Sequence, residues 1–584
     1  MKNRITLLFG KVKQLLFNYP FVLLMSLAFV LTVIYGIEYE PKKESAFLLL
    51  KLGLTFSLGI SLQFALKILS QRIKYGIVWQ LLGFVFLIIY FFIFPKKEED
   101  FSGFYVFLII PTYILSHLLV SFVAFIKEGT SELNFWQYNK NLFVNLFLTA
   151  VFTGVLIGGV ELAILAVEEL FNFDFDGKLY ADTFFALGIF GSTFIFLLFN
   201  ESGLDYLEKE GKYPVVLKFF TQFILIPLLI IYVVILYFYC AKIVINWQLP
   251  RGWVSYLVLA YSIVGIFALL LVHPLKELKL KSWIVIFSKL FYYTLIPLII
   301  LLFVAIFTRV LQYGYTEARY FVLLISLWLT ILVLYFVFFK KATIKFIPIS
   351  LFIFGLFALI FPYLNVFSVS IRSQENELIE VLKENNLLVN NKINFGKQVT
   401  DSIANSVENK LEFLSERFDD EFIEVYLDAE TVKKSKTNKY WYTNLFLNIT
   451  HNQNQKNKNY FLTISSNKKI INIKDYQFVI NNNQYDGNIE TELNNDKISI
   501  TENYGSSSSF EIKINEKSKD ILPILKTKFF NKYKNASDDV FVDDLSIDVV
   551  VDKYQIKVVF GSINWNKDSN SYNYGNIIYL IKTN

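Results

Sequence analysis

Five ionisable side chains inside or beside long apolar runs could do charge-based chemistry: Glu161, Arg251, Arg309, Glu317 and Arg319. Three of them fall in the stretch RVLQYGYTEARY, Arg309 to Tyr320, between apolar runs at 290–307 and 321–339. A guanidinium presents a planar donor fork that matches carboxylate or phosphate oxygens, so Arg319 is a candidate for holding an anionic group at a membrane surface. Glu317 and Arg319 are two residues apart and would not face each other on a helix, so an irregular loop capping a transmembrane hairpin is expected. The same residues also suit plain anchoring. Arginine stems reach toward headgroups, and Tyr313, Tyr315 and Tyr320 would join an interfacial aromatic belt.

The stretch has a counterpart upstream. KFFTQFILIPLLIIYVVILYFYCAKIVINWQLPRGW aligns with KLFYYTLIPLIILLFVAIFTRVLQYGYTEARYF, pairing Lys218 with Lys289, Pro227 with Pro297 and Arg251 with Arg319. A duplicated helical hairpin is expected, against a chance likeness in a chain so rich in Ile, Leu and Phe. Arg251 and Arg319 would then sit at similar heights, with Glu317 or a bound envelope phosphate offsetting their repulsion. Farther upstream, Gly154, Gly158, Glu161 and Glu168 share one helical face, which predicts a small-residue packing surface beside an intramembrane carboxylate. Lys51 is a candidate counter-ion for Glu161. Alternatively, Glu161 reaches water together with Glu168 and Glu169.

GYTEARY, the upstream PRGW and the later IRSQENELIEVLKENNLLVNNKI resemble the bacterial multi-pass membrane family known as domain of unknown function 4153, over most of the first 400 residues. The resemblance implies a bacterial cell-envelope protein and carries no assigned activity or catalytic residues. Tyr315 stands where the family motif is expected to carry Leu, which argues against a chemical role for that position.

Composition agrees with a membrane protein. Of 584 residues, 54% are hydrophobic and only 18% charged, and 61 are Phe. The net charge of +6 divides into about +9 for residues 1–370 and about −3 for residues 371–584, so the basic excess is a topology signal and gives no reason to expect nucleic acid. One cysteine, Cys240, rules out an internal disulfide, and three histidines cannot build a Cys/His zinc cluster. A haem on His117 and His273 has no motif behind it. No Gly-rich phosphate loop, nucleophile elbow or HExxH occurs, and the acidic stretch Phe171 to Asp182 lacks calcium-loop spacing. No cofactor, metal or catalytic residue is implied.

Residues 1–18 read as a basic amphipathic helix on the inner membrane surface and 19–370 as a transmembrane domain of about eleven spans. The N-terminal tail and even-numbered connections hold about 19 Lys and Arg against about 9 in the odd-numbered ones, which predicts a cytoplasmic N-terminus and an extracytoplasmic C-terminus. Residues 371–584 turn polar. Apolar positions recur at helical spacing from Thr400 to Phe418, and alternate from Tyr440 onward, giving an extracytoplasmic α+β domain rich in antiparallel strands. The chain thus reads as a polytopic α-helical protein of the bacterial inner membrane that anchors an extracytoplasmic ligand- or partner-binding domain. The alternative is a transporter or lipid-handling protein built on the duplicated hairpins. A membrane-embedded enzyme is a third reading, with two carboxylates and two arginines for acid-base or phosphate chemistry but no nucleophile, metal cluster or cofactor motif. Expected partners are membrane lipids and an envelope protein or anionic ligand.

Overall fold

Apolar runs of this length need helices, because hydrocarbon offers no partner to a free backbone N–H or C=O. The computed structural model describes all residues except 1, 40–41, 127–130, 172, 174, 210–212, 214–217, 247–252, 278–281, 439–440, 444, 447, 451–460, 467–469, 483–487, 504–508, 534–539, 567–570 and 584. It divides into two compact units, Met1–Asn448 and Ile449–Asn584.

In the first unit α1 (Lys2–Asn18) leads, among the described residues, into ten helices long and apolar enough to span a membrane. These are α2 (Pro20–Tyr39), α3 (Lys43–Ser70), α4 (Gly76–Ile93), α5 (Gly103–Phe125), α6 (Glu132–Phe171), α7 (Gly177–Phe199), α8 (Phe220–Asn246), α9 (Val254–Pro274), α10 (Ile286–Tyr313) and α11 (Glu317–Phe338). A shorter apolar helix, α12 (Phe346–Ile360), follows. Four further helices, α13 (Val366–Glu384), α14 (Asp401–Ser415), α15 (Asp420–Tyr426) and α16 (Ala429–Thr437), follow.

Polar contacts gather at two ends of this array. At one, Lys11 pairs with Glu201 at 2.7 Å, Arg72 pairs with Glu208, and Glu132 Oε1 accepts from Ile344 N at 2.7 Å. Among the described residues before α13, more lysines fall in the connections at this end than in those at the other, and we call it the basic end. At the other, Ser102 Oγ donates to the Glu416 carbonyl at 2.9 Å and the Tyr320 hydroxyl to the Leu364 carbonyl at 2.6 Å. There α13–α16 form a collar.

The helices divide into central and peripheral ones. Half of the most apolar stretch of α9 is buried, against 6% of that of α6. The buried residues of α6 run from Phe135 to Thr153, and the helix beyond them has no buried residue among those described. The expected tight packing at Gly158 is therefore not found: a Cβ there, or at Gly154, would meet nothing within 4 Å. The close approach occurs instead at Gly265 of α9, where a Cβ would lie 1.9 Å from the buried Phe291 ring of α10. Small-residue spacing marks a face on which helices can approach, and here it is the neighbouring bulk that decides which such face is used.

The two hairpins α8–α9 and α10–α11 run in the same direction, from the basic end and back. Their prolines act differently. Pro227 lies two residues past a π-helical turn, Phe220–Leu225, whereas α10 stays α-helical through Pro297. Near mid-span the hairpins are tied together. The Tyr237 hydroxyl donates to the Thr294 carbonyl at 2.9 Å, and the Tyr261 hydroxyl lies 2.9 Å from Thr294 Oγ1.

In the second unit, alternating apolar residues build strands as period-two patterning requires. Strands β1 (Phe461–Ser466), β2 (Phe478–Asn482), β3 (Asn488–Leu493), β4 (Asp496–Asn503), β5 (Ser509–Ile514), β6 (Lys517–Asp520), β7 (Val540–Val542), β8 (Ser546–Val551), β9 (Tyr554–Asn566) and β10 (Ser571–Thr583) form two sheets. One is an antiparallel four-stranded sheet, β6-β5-β4-β3. In the six-stranded sheet β7-β1-β9-β10-β2, the strand β8 pairs with β9 beyond β1, and only the β7–β1 pair is parallel. Asn494 and Asn495, with φ of 50° and 68°, make the tight β3–β4 turn, where two consecutive left-handed residues suit the strand twist. Ile500, Ile512, Val558 and Phe560 from both sheets meet in one core, closed by Leu525 and Phe530.

Gly265→Val is expected to lower stability by about 2 kcal/mol through overpacking, while Gly158→Leu should shift it by less than about 0.5 kcal/mol. Thermal unfolding of both variants in one detergent checks this, and a large loss at Gly158 would show that its face is packed after all.

Candidate functional site

An unbroken helical period carries α10 through Arg309 to Tyr313, and only Gly314, Tyr315 and Thr316 break it before α11 starts at Glu317. The expected twelve-residue irregular loop is thus three residues long. Gly314 ends α10 with φ of +69° and its N–H on the Val310 carbonyl at 2.8 Å, and Thr316 in extended conformation starts α11. A glycine is needed at 314 twice over. Its φ is left-handed, and a Cβ would lie 2.9 Å or less from Ser373, Gln374 and Glu377 of α13.

The collar reads this turn through its backbone. Gln374 Nε2 donates to the Tyr313 and Tyr315 carbonyls, each at 2.9 Å, and Ser373 Oγ accepts from Tyr315 N at 2.8 Å. Arg319 Nη1 donates to the carbonyls of Tyr313 and Gly314 at 3.0 and 2.7 Å, and its guanidinium lies over the Tyr313 ring. In the structure Arg319 therefore braces the turn.

Glu317 points into the protein and is 1% exposed. Arg417, one hundred residues later at the end of α14, meets it side-on: Nε to Oε1 at 2.6 Å and Nη2 to Oε2 at 2.9 Å. The remaining nitrogen, Nη1, donates to the Phe413 carbonyl at 2.8 Å, and the guanidinium stacks 3.4 Å from the Phe413 ring centroid. Every charge is thus directed, which a desolvated pair requires. The carboxylate also sits in the first turn of α11, where the helix dipole favours an anion. Beside the pair, Phe104 packs edge-on to Phe367 and Phe418.

Of the candidates read from sequence, Glu317 and Arg319 come together at this turn, Arg309 is exposed two turns earlier on α10, and Arg251 lies outside the described residues. Glu161 is remote from them on α6. Both of its carboxylate oxygens are shielded from solvent and have no hydrogen-bond partner among the described residues, while its helix neighbour Glu168 accepts from the Tyr180 hydroxyl at 2.5 Å. Lys51 gives no counter-ion to Glu161: it donates to the Pro95 carbonyl at 2.9 Å and lies over the Phe91 ring. Arg417 was missed. Its only signal is a lone cation at the end of the apolar period of α14, followed by acids.

Those acids matter electrostatically. Burial, and then the neighbouring Glu375 carboxylate, push the Asp419 carboxyl up to about 6. Because the folded value exceeds the unfolded one, the folded state binds the proton more tightly, and stability falls as pH rises from about 4 through about 6.

A sequence profile of the family described as Domain of unknown function (DUF4153) matches residues 25–386, and the chain belongs to that family. A protein of Pasteurella multocida (strain Pm70), described as uncharacterized, is 28% identical over 221 residues, 37% of this chain. The match spans 37% of that relative's length. No solved structure matches.

Glu317→Gln or Arg417→Met alone should cost about 3–5 kcal/mol by stranding a buried charge or donor, and the double change Glu317→Leu with Arg417→Met should recover most of it. Unfolding of the three variants decides; additive losses would mean that the two groups are not coupled. Asp419→Asn should raise the melting temperature at pH 7.5 and lose that advantage near pH 4, and an equal gain at both pH values would exclude the titration of Asp419 as its source.

Proposed function

We propose that this member of the family is a non-enzymatic anchor of the bacterial cytoplasmic membrane, with its N-terminus cytoplasmic and residues 449–584 outside the cytoplasm as a ligand- or partner-binding module. The observation that carries the reading is the buried Glu317–Arg417 pair, joined by the Gln374 and Ser373 contacts, which fixes α13–α16 to the end of the span array. An array that clamps a soluble collar through desolvated charge is suited to holding something at a set height. The excess of lysines in the connections at the basic end over those at the other supports the orientation, because inner connections carry more Lys and Arg. An envelope protein or anionic ligand is the partner this reading implies.

The transporter alternative has one observation in its favour, the shared direction of the two hairpins and their Thr294 tie. Two measurements separate them. With Cys240→Ser as background, Ser518→Cys on the exposed β6 should react with a membrane-impermeant maleimide in intact spheroplasts; protection until lysis would overturn the orientation. Proteoliposomes containing the full chain should show no added flux of a labelled anionic solute or lipid, and a protein-dependent flux would displace the anchor reading.

A further inference from the structure

At the basic end, away from the Glu317 site, α9, α10, α11 and α12 enclose a cavity of about 530 Å³. The size falls within the range of small-ligand sites. Its lining changes character with depth on each of two helices. On α9, His273 lies at the rim and Leu269 one turn deeper; on α11, Lys340 follows the helix end, and Phe336 and Val337 lie one turn deeper. From α10 come Ser288 and Lys289, with Tyr292 a turn farther in, stacked on Phe336 at 4.9 Å between ring centroids. The cavity therefore has a cationic, hydrogen-bonding rim and an apolar floor.

No carboxylate is among the described lining residues. Glu132 borders His273 but is already engaged: it accepts from Ile344 N and lies 3.6 Å from His273 Nε2. Lys289 and Lys340 come from helices about fifty residues apart and have no ion-pair partner among the described residues. Snorkelling alone would send two such lysines separately into the headgroup layer; here both border one cavity. A wholly hydrophilic anion would leave the floor wet and unused, whereas an amphiphile with an anionic head would cover both surfaces.

We propose that this cavity binds a phospholipid of net negative charge, its phosphate against Lys289, Lys340 and His273 and its acyl chains against Leu269, Phe336 and Val337. The inference is independent of the anchor reading, since it concerns other residues at the opposite end of the array.

The test uses full-length protein, delipidated in neutral detergent, with melting temperature followed against added phosphatidylglycerol, phosphatidylcholine or inorganic phosphate. Phosphatidylglycerol should raise it saturably, and the other two should not. Lys289→Gln with Lys340→Gln should weaken the apparent affinity about 30-fold, at about fivefold per lysine. Lys67→Gln with Lys74→Gln, a charge-matched change at the same end outside the cavity, should leave it within about twofold. If the cavity double variant loses stability on its own, Val337→Trp, which fills the apolar floor and keeps every charge, should abolish the lipid-dependent shift. Equal protection by phosphatidylcholine, or a double variant that binds phosphatidylglycerol like the parent, would overturn the proposal. Protection by inorganic phosphate alone would overturn the lipid assignment in favour of a free anion.

Discussion

In hydrocarbon, every backbone polar group must be satisfied within the chain, and a charge without a partner is costly. That constraint arranges the first unit. Helices cross, and polar side chains are driven to the two ends, where they can pair with one another or with carbonyls. The Glu317–Arg417 pair follows the same rule, since a carboxylate that is 1% exposed is tolerable only because three guanidinium nitrogens are each directed to an oxygen. Lys51 meets the rule another way, with two backbone carbonyls and an aromatic face.

Patterns with a short period were legible in the sequence. Apolar runs long enough to cross a bilayer gave the spans, and alternation over 546–551 gave β8 to the residue, because inward and outward positions on a strand differ by one. Contacts that depend on distant residues were not. Glu317 was visible as a charge beside a span, but its partner is one hundred residues away, and no local spacing connects them. Around Gly314 the polar residues suggest a longer turn than the three residues that form it, because polarity alone does not break a helix. Arg309 and Arg319 stay helical, exposing or bending their long side chains while the backbone keeps its period.

The glycine faces of α6 and α9 make a similar point. Spacing shows that a backbone can be approached, and only the neighbouring helix shows whether it is. Phe291 fills the space over Gly265, and nothing in the unit fills that over Gly158. The mid-span tie at Thr294 likewise joins hydroxyls from three helices, each unremarkable in its own segment.

The separation of Glu317 from Arg417 also sets a timetable for biogenesis. A ribosome adding about 5–20 residues per second needs on the order of 5–20 s to travel from one codon to the other. Throughout that interval the carboxylate has no guanidinium, so it must stay in contact with water while α12 inserts and the collar helices emerge on the same side. Closure of the collar is therefore a late step in assembly, after the membrane helices are in place. Until then the turn at Gly314 is exposed, and it is the last part of the array to be protected from quality-control proteases.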